Sequence, residues 1–406
     1  MTITRAYKTE LDLTNKQKTA CLEHAGCARF AYNWGLNQKQ EAYKRQEKIP
    51  TAIELHRRLN KLKKTTFPFF YRVSKCAPQE ALRNLDRAYR NFYHGLRRKE
   101  KGNYKGKPGL PHYKKKTRDR GSFRLTGSIR VNSGSVQLPR LGRLRLKEKN
   151  YLPTTGVHIL HATVSMQAGR FYVSVQVEEE ITRPEQTGSP VGLDLGITEL
   201  ATVSDGTIYE NPRPLKRVLR KLRKLGKTVS RRKKDSRNRH KACDKLARLH
   251  ARIVNIRQDT LHKLTTTVCK SHAYIAIEDL NVSAMMHNRH LSQALADASF
   301  GEIRRQLTYK AAWYGARLVV IGRYFPSSKT CAVCGYIMPE LPLHVRQWLC
   351  PSCATVHKRD LNAAKTVLLA ASSAESLNVC GAEGSGLPDR ASETMPCVKQ
   401  KPNNVY

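Results

Sequence analysis

The chain has 406 residues, with 74 Lys+Arg against 32 Asp+Glu and a formal net charge of +42. That excess opposes a compact fold by self-repulsion unless a polyanion neutralises it, and nucleic acid is the counter-polyanion it implies. The length argues against a short ribosomal-type protein. No apolar run reaches the roughly 18 residues that span a bilayer, and the opening MTITRAYKTELDLT lacks the apolar stretch of a secretory signal. Eleven cysteines, four of them in paired CxxC, fit a reducing compartment with a metal site better than a disulfide scaffold. The expected location is cytoplasmic.

Residues 1–14 alternate as a strand does, and from about 15 to 100 the period becomes helical. In QEALRNLDRAYRNF (79–92), Leu82, Leu85, Ala88 and Tyr89 share one face and arginines the other. Residues 101–121 are rich in Lys, Arg, Gly and Pro. They read as a basic loop with Tyr104 and Tyr113 interleaved, suited to phosphate contact and base stacking, or as a solvated linker. Residues 122–185 alternate as short strands with turns at 132–134 and 168–169, consistent with a small β-barrel-like domain that the N-terminal strand could join. The helical block is then an insertion.

From 190 onward the expected order is β-β-β-α-β-α-β, a four-cysteine element, then α. Asp205-Gly206 signals a hairpin. Residues 214–268 read as one or two long basic helices that include SRRKKDSRNRHK (230–241), and a closing helix spans 360–371. Residues 372–406 lack periodicity and read as a disordered tail. The overall class is α/β multidomain.

Three acids stand out in order. Asp194 lies in GLDLG (192–196), where flanking glycines allow close approach of a backbone or a phosphate. Glu278 ends the apolar run IAIE (275–278), and Asp360 opens the closing helix. Alone, Asp360 reads as a helix N-cap, and Asp194 reads equally as a turn residue. Together, two adjacent parallel strands ending in acids and a third acid on a following helix can converge on one point. Such a set suits Mg²⁺, and two ions can clamp the attacking water and the leaving oxygen in phosphodiester hydrolysis. The element order is that of a ribonuclease-H-like fold, and Asp-Glu-Asp is its RuvC-type arrangement. A DDE transposase carries its Glu last.

Cys331, Cys334, Cys350 and Cys353 form two CxxC pairs separated by 15 residues. Four thiolates at this spacing match a closed, structural tetrahedral Zn²⁺ site, with Gly335 in a tight knuckle turn. Cys21, Cys27, Cys76, Cys243, Cys269, Cys380 and Cys397 show no paired spacing and read as ordinary thiols.

The set GLDLG (192–196), IEDLN (277–281), FPSSKTCAVCG (325–335), CPSC (350–353) and RDLNAA (359–364) resembles the TnpB family. SRRKKDS (230–236), RIVNIRQDTLHKL (252–264), RQLTYKAAWYG (305–315), GCARFAYNWGL (26–36), GLPHYKKK (109–116) and LPRLG (138–142) extend the resemblance over most of residues 1–370. These are transposon-encoded, OrfB-type RNA-guided nucleases related to compact type V CRISPR effectors. The resemblance implies a guide RNA from the transposon end and double-stranded target DNA cut beside a short adjacent motif by one RuvC-type site. It implies a wedge-like β-barrel (1–14 and 122–185), a helical recognition domain (15–121), a RuvC-like nuclease (186–325 and 355–371) and a zinc-binding element (326–354). It matches Asp194, Glu278 and Asp360 to the catalytic acids, the four cysteines to the zinc ligands, and Lys75, Gln79 and Thr126 to readers of the adjacent motif. Arg231, Arg232, Lys233 and Lys234 are expected to meet phosphates. The expected state is a monomer. Lys358 and Thr366 depart from the family pattern, which often has an acid and an Asn there. The competing readings are a guided DNA-binding repressor that no longer cuts and an RNA-independent transposase.

Overall fold

The computed structural model describes residues 1–102, 106–116, 121–182 and 184–379. Strand β1 (Thr2–Asp12) leads into helices α1 (Asn15–Lys44), α2 (Ala52–Thr65) and α3 (Cys76–Glu100). Strands β2 (Ser122–Leu125), β3 (Arg130–Asn132), β4 (Ser135–Leu138), β5 (Gly142–Leu146), β6 (Val157–Gln167) and β7 (Arg170–Glu180) follow. Capping boxes start the first two helices. Thr14 pairs reciprocally with Gln17 and Thr51 with Glu54, so in each helix the third-position N–H and the cap residue's own N–H find acceptors.

β1 pairs antiparallel with β7 over Thr2–Glu10 and turns to β5 at Leu11 and Asp12. The sheet order is β2-β6-β7-β1-β5-β4-β3. The first strand is therefore central to a sheet whose other strands come more than a hundred residues later, and the helices are spliced between them. Among the described residues β2 and β3 do not pair. Among the described residues the pairing is a seven-stranded order with β2 and β3 at its two ends, which leaves the barrel-like expectation unconfirmed. Nor does the helical block have a core of its own: Leu36, Leu55, Leu82 and Leu85 share one with Leu125, Val136, Leu144 and Val173.

The basic segment is pinned where it is described. Asn33 Nδ2 donates to Lys114 O at 3.0 Å, Lys114 N donates to Asn33 Oδ1 at 2.8 Å, and the Tyr113 hydroxyl donates to Gln40 Oε1 at 2.8 Å. Tyr104 lies outside the described residues.

The second half contains β8 (Val191–Asp194), β9 (Glu199–Val203), β10 (Ile208–Glu210), α4 (Pro214–Arg231), α5 (Arg237–Ser271) and β11 (Tyr274–Glu278). After these come α6 (Val282–Met285), α7 (Ser292–Ala298), α8 (Phe300–Tyr314), β12 (Arg317–Ile321), β13 (Gln347–Leu349), β14 (Val356–Lys358) and α9 (Arg359–Val379). Five strands order as β10-β9-β8-β11-β12, with β8, β11 and β12 parallel. The Asp205-Gly206 turn joins β9 to β10: Gly206 has φ 97° and Asp205 Oδ1 accepts from Thr207 N at 2.8 Å. Leu261, Leu264 and Val268 of α5, with Ile303 and Leu307 of α8, cover one face of this sheet. Val367 and Ala371 of α9 cover the other.

Three boundaries move. Residues 230–241 are not helical throughout, because α4 ends at Arg231 and α5 begins at Arg237. Asp235 at φ 63° makes the turn, and Ser236 caps α5 by accepting from Arg239 N at 3.1 Å. The element holding the cysteines extends to Lys358 rather than 354, because β14 pairs with β13 and packs His357 against Trp348, ring centroids 4.7 Å apart. Helix α9 continues to Val379, so residues 372–379 are helical instead of opening a disordered tail. The run AASSAES carries no Gly or Pro to stop it. Residues 380–406 lie outside the described residues.

Candidate active site

Strand alternation selects which side chains meet. On β8, Val191 and Leu193 are buried toward α5 and α8, so Gly192 and Asp194 face α9. On β11, Ile275 and Ile277 take the first side, and Ala276 and Glu278 the second. The register pairs Gly192 with Ala276 and Leu193 with Ile277. Asp194 and Glu278 are the next residues along, level with each other at the carboxyl ends of adjacent parallel strands.

Gly192 brings the third acid in. A Cβ at this position would stand 2.1 Å from Ala364 O and 2.8 Å from Leu368 N. Only glycine admits α9 so close to β8. The approach that the glycine permits is therefore that of a helix backbone. Because α9 begins at Arg359, Asp360 sits in its first turn and is not the N-cap.

The three carboxylates are half-buried, and Asp194 feels the other two. Burial, then Glu278, then Asp360 push the Asp194 carboxyl up to about 7, against the opposing pull of Arg359. Burial also raises Glu278, opposed by the Ser327 hydroxyl, which donates to Glu278 Oε1. The neighbouring acid, Asp279, has another role. Arg304 and Arg323 hold it below the usual carboxylate range and tie the end of β11 to α8 and to the chain after β12. Arg346 Nη1 lies 3.6 Å from Asp360 Oδ1. Arg346 carries no signal in the sequence, and Asp279 and Ser327 lie inside the IEDLN and FPSSKTCAVCG motifs without being marked there as site residues. A serine in a loop and arginines in a chain this basic are unremarkable until the fold places them.

The cysteines Cys331, Cys334, Cys350 and Cys353 put their Sγ atoms within 4.8 Å of one another, an arrangement that could hold a metal ion. Gly335 turns at φ 77°. His357 Nε2 lies 3.0 Å from Cys331 Sγ, a neighbour the CxxC spacing does not announce. The element is stapled to α9. Asn362 Nδ2 donates to Thr330 O at 2.7 Å, Asn362 Oδ1 accepts from Ala332 N at 3.0 Å, and Arg359 Nη1 donates to Pro342 O at 2.7 Å. Thr366, one of the two departures from the family pattern, is buried and donates to Asn362 O at 2.7 Å. Lys358, the other, is exposed at the end of β14.

Lys75, Gln79 and Thr126 line one cleft of about 660 Å³, together with Lys63 and Arg140. Arg231, Arg232, Lys233 and Lys234 are exposed at the turn between α4 and α5.

Residues 172–289 match a family model described as "Probable transposase", and residues 300–367 match "Cas12f1-like, TNB domain". Residues 1–48 match a "Helix-turn-helix domain", although the structure there is one strand and one long helix. The chain is 37% identical over 408 residues to a Streptomyces pristinaespiralis protein named "Putative RNA-guided DNA endonuclease", covering 99% of this chain and 97% of that one. The chain belongs to the TnpB family. A second relative, InsQ of Escherichia coli (strain K12), carries the same description and is 32% identical over 90% of this chain and 92% of its own. Among solved structures, "Structure of the mini-RNA-guided endonuclease CRISPR-Cas_phi3" aligns over 90% of this chain and 92% of that one, at 8% identity and a TM-score of 0.43. A likeness that low adds no weight to the family assignment.

Proposed function

We propose that this chain is an RNA-guided, Mg²⁺-dependent DNA endonuclease of transposon origin, cutting target DNA beside a short adjacent motif. The convergence of Asp194, Glu278 and Asp360 on one face of the parallel strands, in a member of the TnpB family, carries this reading. The order β10-β9-β8-β11-β12, with a hairpin followed by parallel strands, supports a ribonuclease-H-like, RuvC-type nuclease.

The donor set fits the metal. Three carboxylates crowded until one resists ionisation are hard oxygen ligands short of positive charge, which suits Mg²⁺. When bound, a pair of ions would lower the pKa of the attacking water and neutralise charge on the leaving oxygen. The chain supplies the frame. Asp194, Glu278 and Asp360 hold the site, Ser327 orients Glu278, and Asp279 with Arg304 and Arg323 fixes the strand end. Arg346, exposed at the mouth of the site, meets the phosphodiester. Four thiolates suit Zn²⁺ in a closed site whose work is to fold residues 326–358 against α9.

Guide RNA from the transposon end reads the target strand, while the protein reads duplex shape and the motif. Lys75, Gln79 and Thr126 are the motif readers, and Arg231, Arg232, Lys233 and Lys234 contact phosphates. The protein acts as a monomer. Among the described residues no helix is long and apolar enough to cross a membrane. The intact acid set argues against a repressor that no longer cuts. Asp194→Ala, Glu278→Ala and Asp360→Ala, each loaded with RNA, test the site: cleavage disappears while target binding persists. Retained cleavage in any of them removes that residue from the site.

A further inference from the structure

Both ring nitrogens of His24 are committed. The residue sits in α1 and is 1% exposed. Nδ1 lies 2.7 Å from Ala20 O, one turn back in the same helix, and Nε2 lies 3.0 Å from Ser74 N. A carbonyl oxygen can only accept and an amide N–H can only donate. The ring is therefore neutral, with its proton on Nδ1 and its Nε2 lone pair turned to Ser74. Burial favours the same uncharged form. Phe123 of β2 packs on the ring, centroids 5.0 Å apart. One side chain thus joins α1, the β-sheet and the chain entering α3.

Ser74 is where that chain becomes a helix. Its carbonyl accepts from Ala77 N at 3.1 Å, and its hydroxyl accepts from Cys76 N at 3.4 Å. Lys75, at the N-cap position of α3, makes no side-chain cap hydrogen bond of its own. The opposite wall of the cleft is tied to the same turn, since Cys76 Sγ donates to Thr126 O at 3.4 Å. Lys75, Gln79 and Thr126 therefore rest on a scaffold that hangs from the His24–Ser74 hydrogen bond.

We infer that His24 is a positioning residue for DNA-motif selection: by accepting from Ser74 N it fixes the first turn of α3 and sets Lys75 and Gln79 in the cleft. This rests on the reading of that cleft as the motif reader. His24 itself touches no DNA. Its buried acceptor decides where the reading side chains point.

The test uses the full chain loaded with its RNA. One substrate is a duplex library with a guide-matched target and a randomised flank, sequenced after cleavage to measure flank preference. The other is a guide-complementary single strand, which has no duplex to open and so needs no motif. His24→Leu removes the acceptor and leaves Ser74 N buried without a partner. Flank preference should fall about tenfold, with single-strand cleavage unchanged. In His24→Gln, an amide oxygen can accept from Ser74 N again, and most of the preference should return. Gln79→Ala should lose the preference in the same assay. If His24→Leu keeps the preference that Gln79→Ala loses, the positioning role is wrong. Parallel loss of duplex and single-strand cleavage in both His24 variants means a residue that only maintains the fold, and also overturns the role. If Gln79→Ala keeps the preference, the cleft is not the reader and the inference falls with that reading.

Discussion

Arg346 Nη1 stands 3.6 Å from Asp360 Oδ1, and the two residues belong to different elements. Arg346 precedes β13, and its backbone carbonyl accepts from Arg359 N at 2.9 Å, so the arginine is registered against the first turn of α9. Its side chain is 58% exposed, and an exposed pair contributes only about 0–1 kcal/mol to stability. A contribution to the reaction is therefore separable from one to the fold. Arg346→Ala should leave Tm nearly unchanged and lower the single-turnover cleavage rate by about a hundredfold, as loss of a preorganised donor to developing charge does. An unchanged rate would remove Arg346 from the site.

Gly192 sets the separation between β8 and α9. In Gly192→Ala the new Cβ meets Ala364 O, and the helix carrying Asp360 must move. Overpacking of this kind costs about 1–3 kcal/mol. Cleavage should drop far more than Tm accounts for, because the third carboxylate is displaced from the other two. Wild-type cleavage in this variant would contradict the packing argument.

The four cysteines support α9 through Asn362 and Arg359. Purified protein should contain one zinc per chain. Cys331→Ser and Cys353→Ser should lose the metal and lower Tm, since structural zinc supplies local folding energy. Cleavage should fall with it, because the first turn of α9 loses its partner. A zinc-free preparation with full activity and unchanged Tm would sink this reading.

Asp194 makes stability depend on pH. Its folded carboxyl titrates at about 7 instead of 3.8, so folding favours the protonated form. The resulting stabilisation is complete below about pH 4 and is lost as pH rises through about 7. Without divalent metal, Tm should decline from about pH 5 to about pH 8, and Asp194→Asn should flatten that decline. Mg²⁺, which needs the ionised carboxylates, should raise Tm more at about pH 8 than at about pH 5. An equal effect of the variant at both pH values would refute the assignment.

Much of this was legible in the sequence because the signals were local or repeated. The apolar runs ending at Asp194 and Glu278 mark parallel strands, and the paired CxxC marks a cluster at any reading. What escaped depends on distance in the chain. The helical block shares a core with the sheet because Leu82 and Leu85 pack with Leu125, which no periodicity reveals. The partner of Asp360 is an arginine fourteen positions earlier, indistinguishable by sequence from its many neighbours. The last turns of α9 escape a sequence reading because Ser-rich composition reads as loop, although serines near a helix end can donate back to carbonyls, as Ser372 does to Leu368 O.

The most direct measurement is cleavage of plasmid DNA by the purified chain with its co-purifying RNA, repeated after the guide segment of that RNA is rewritten. The account predicts no specific cutting without RNA and a cut that moves to the newly matched sequence while keeping the same adjacent motif. Specific cutting by RNA-free protein, or a cut that stays in place when the guide changes, would contradict it.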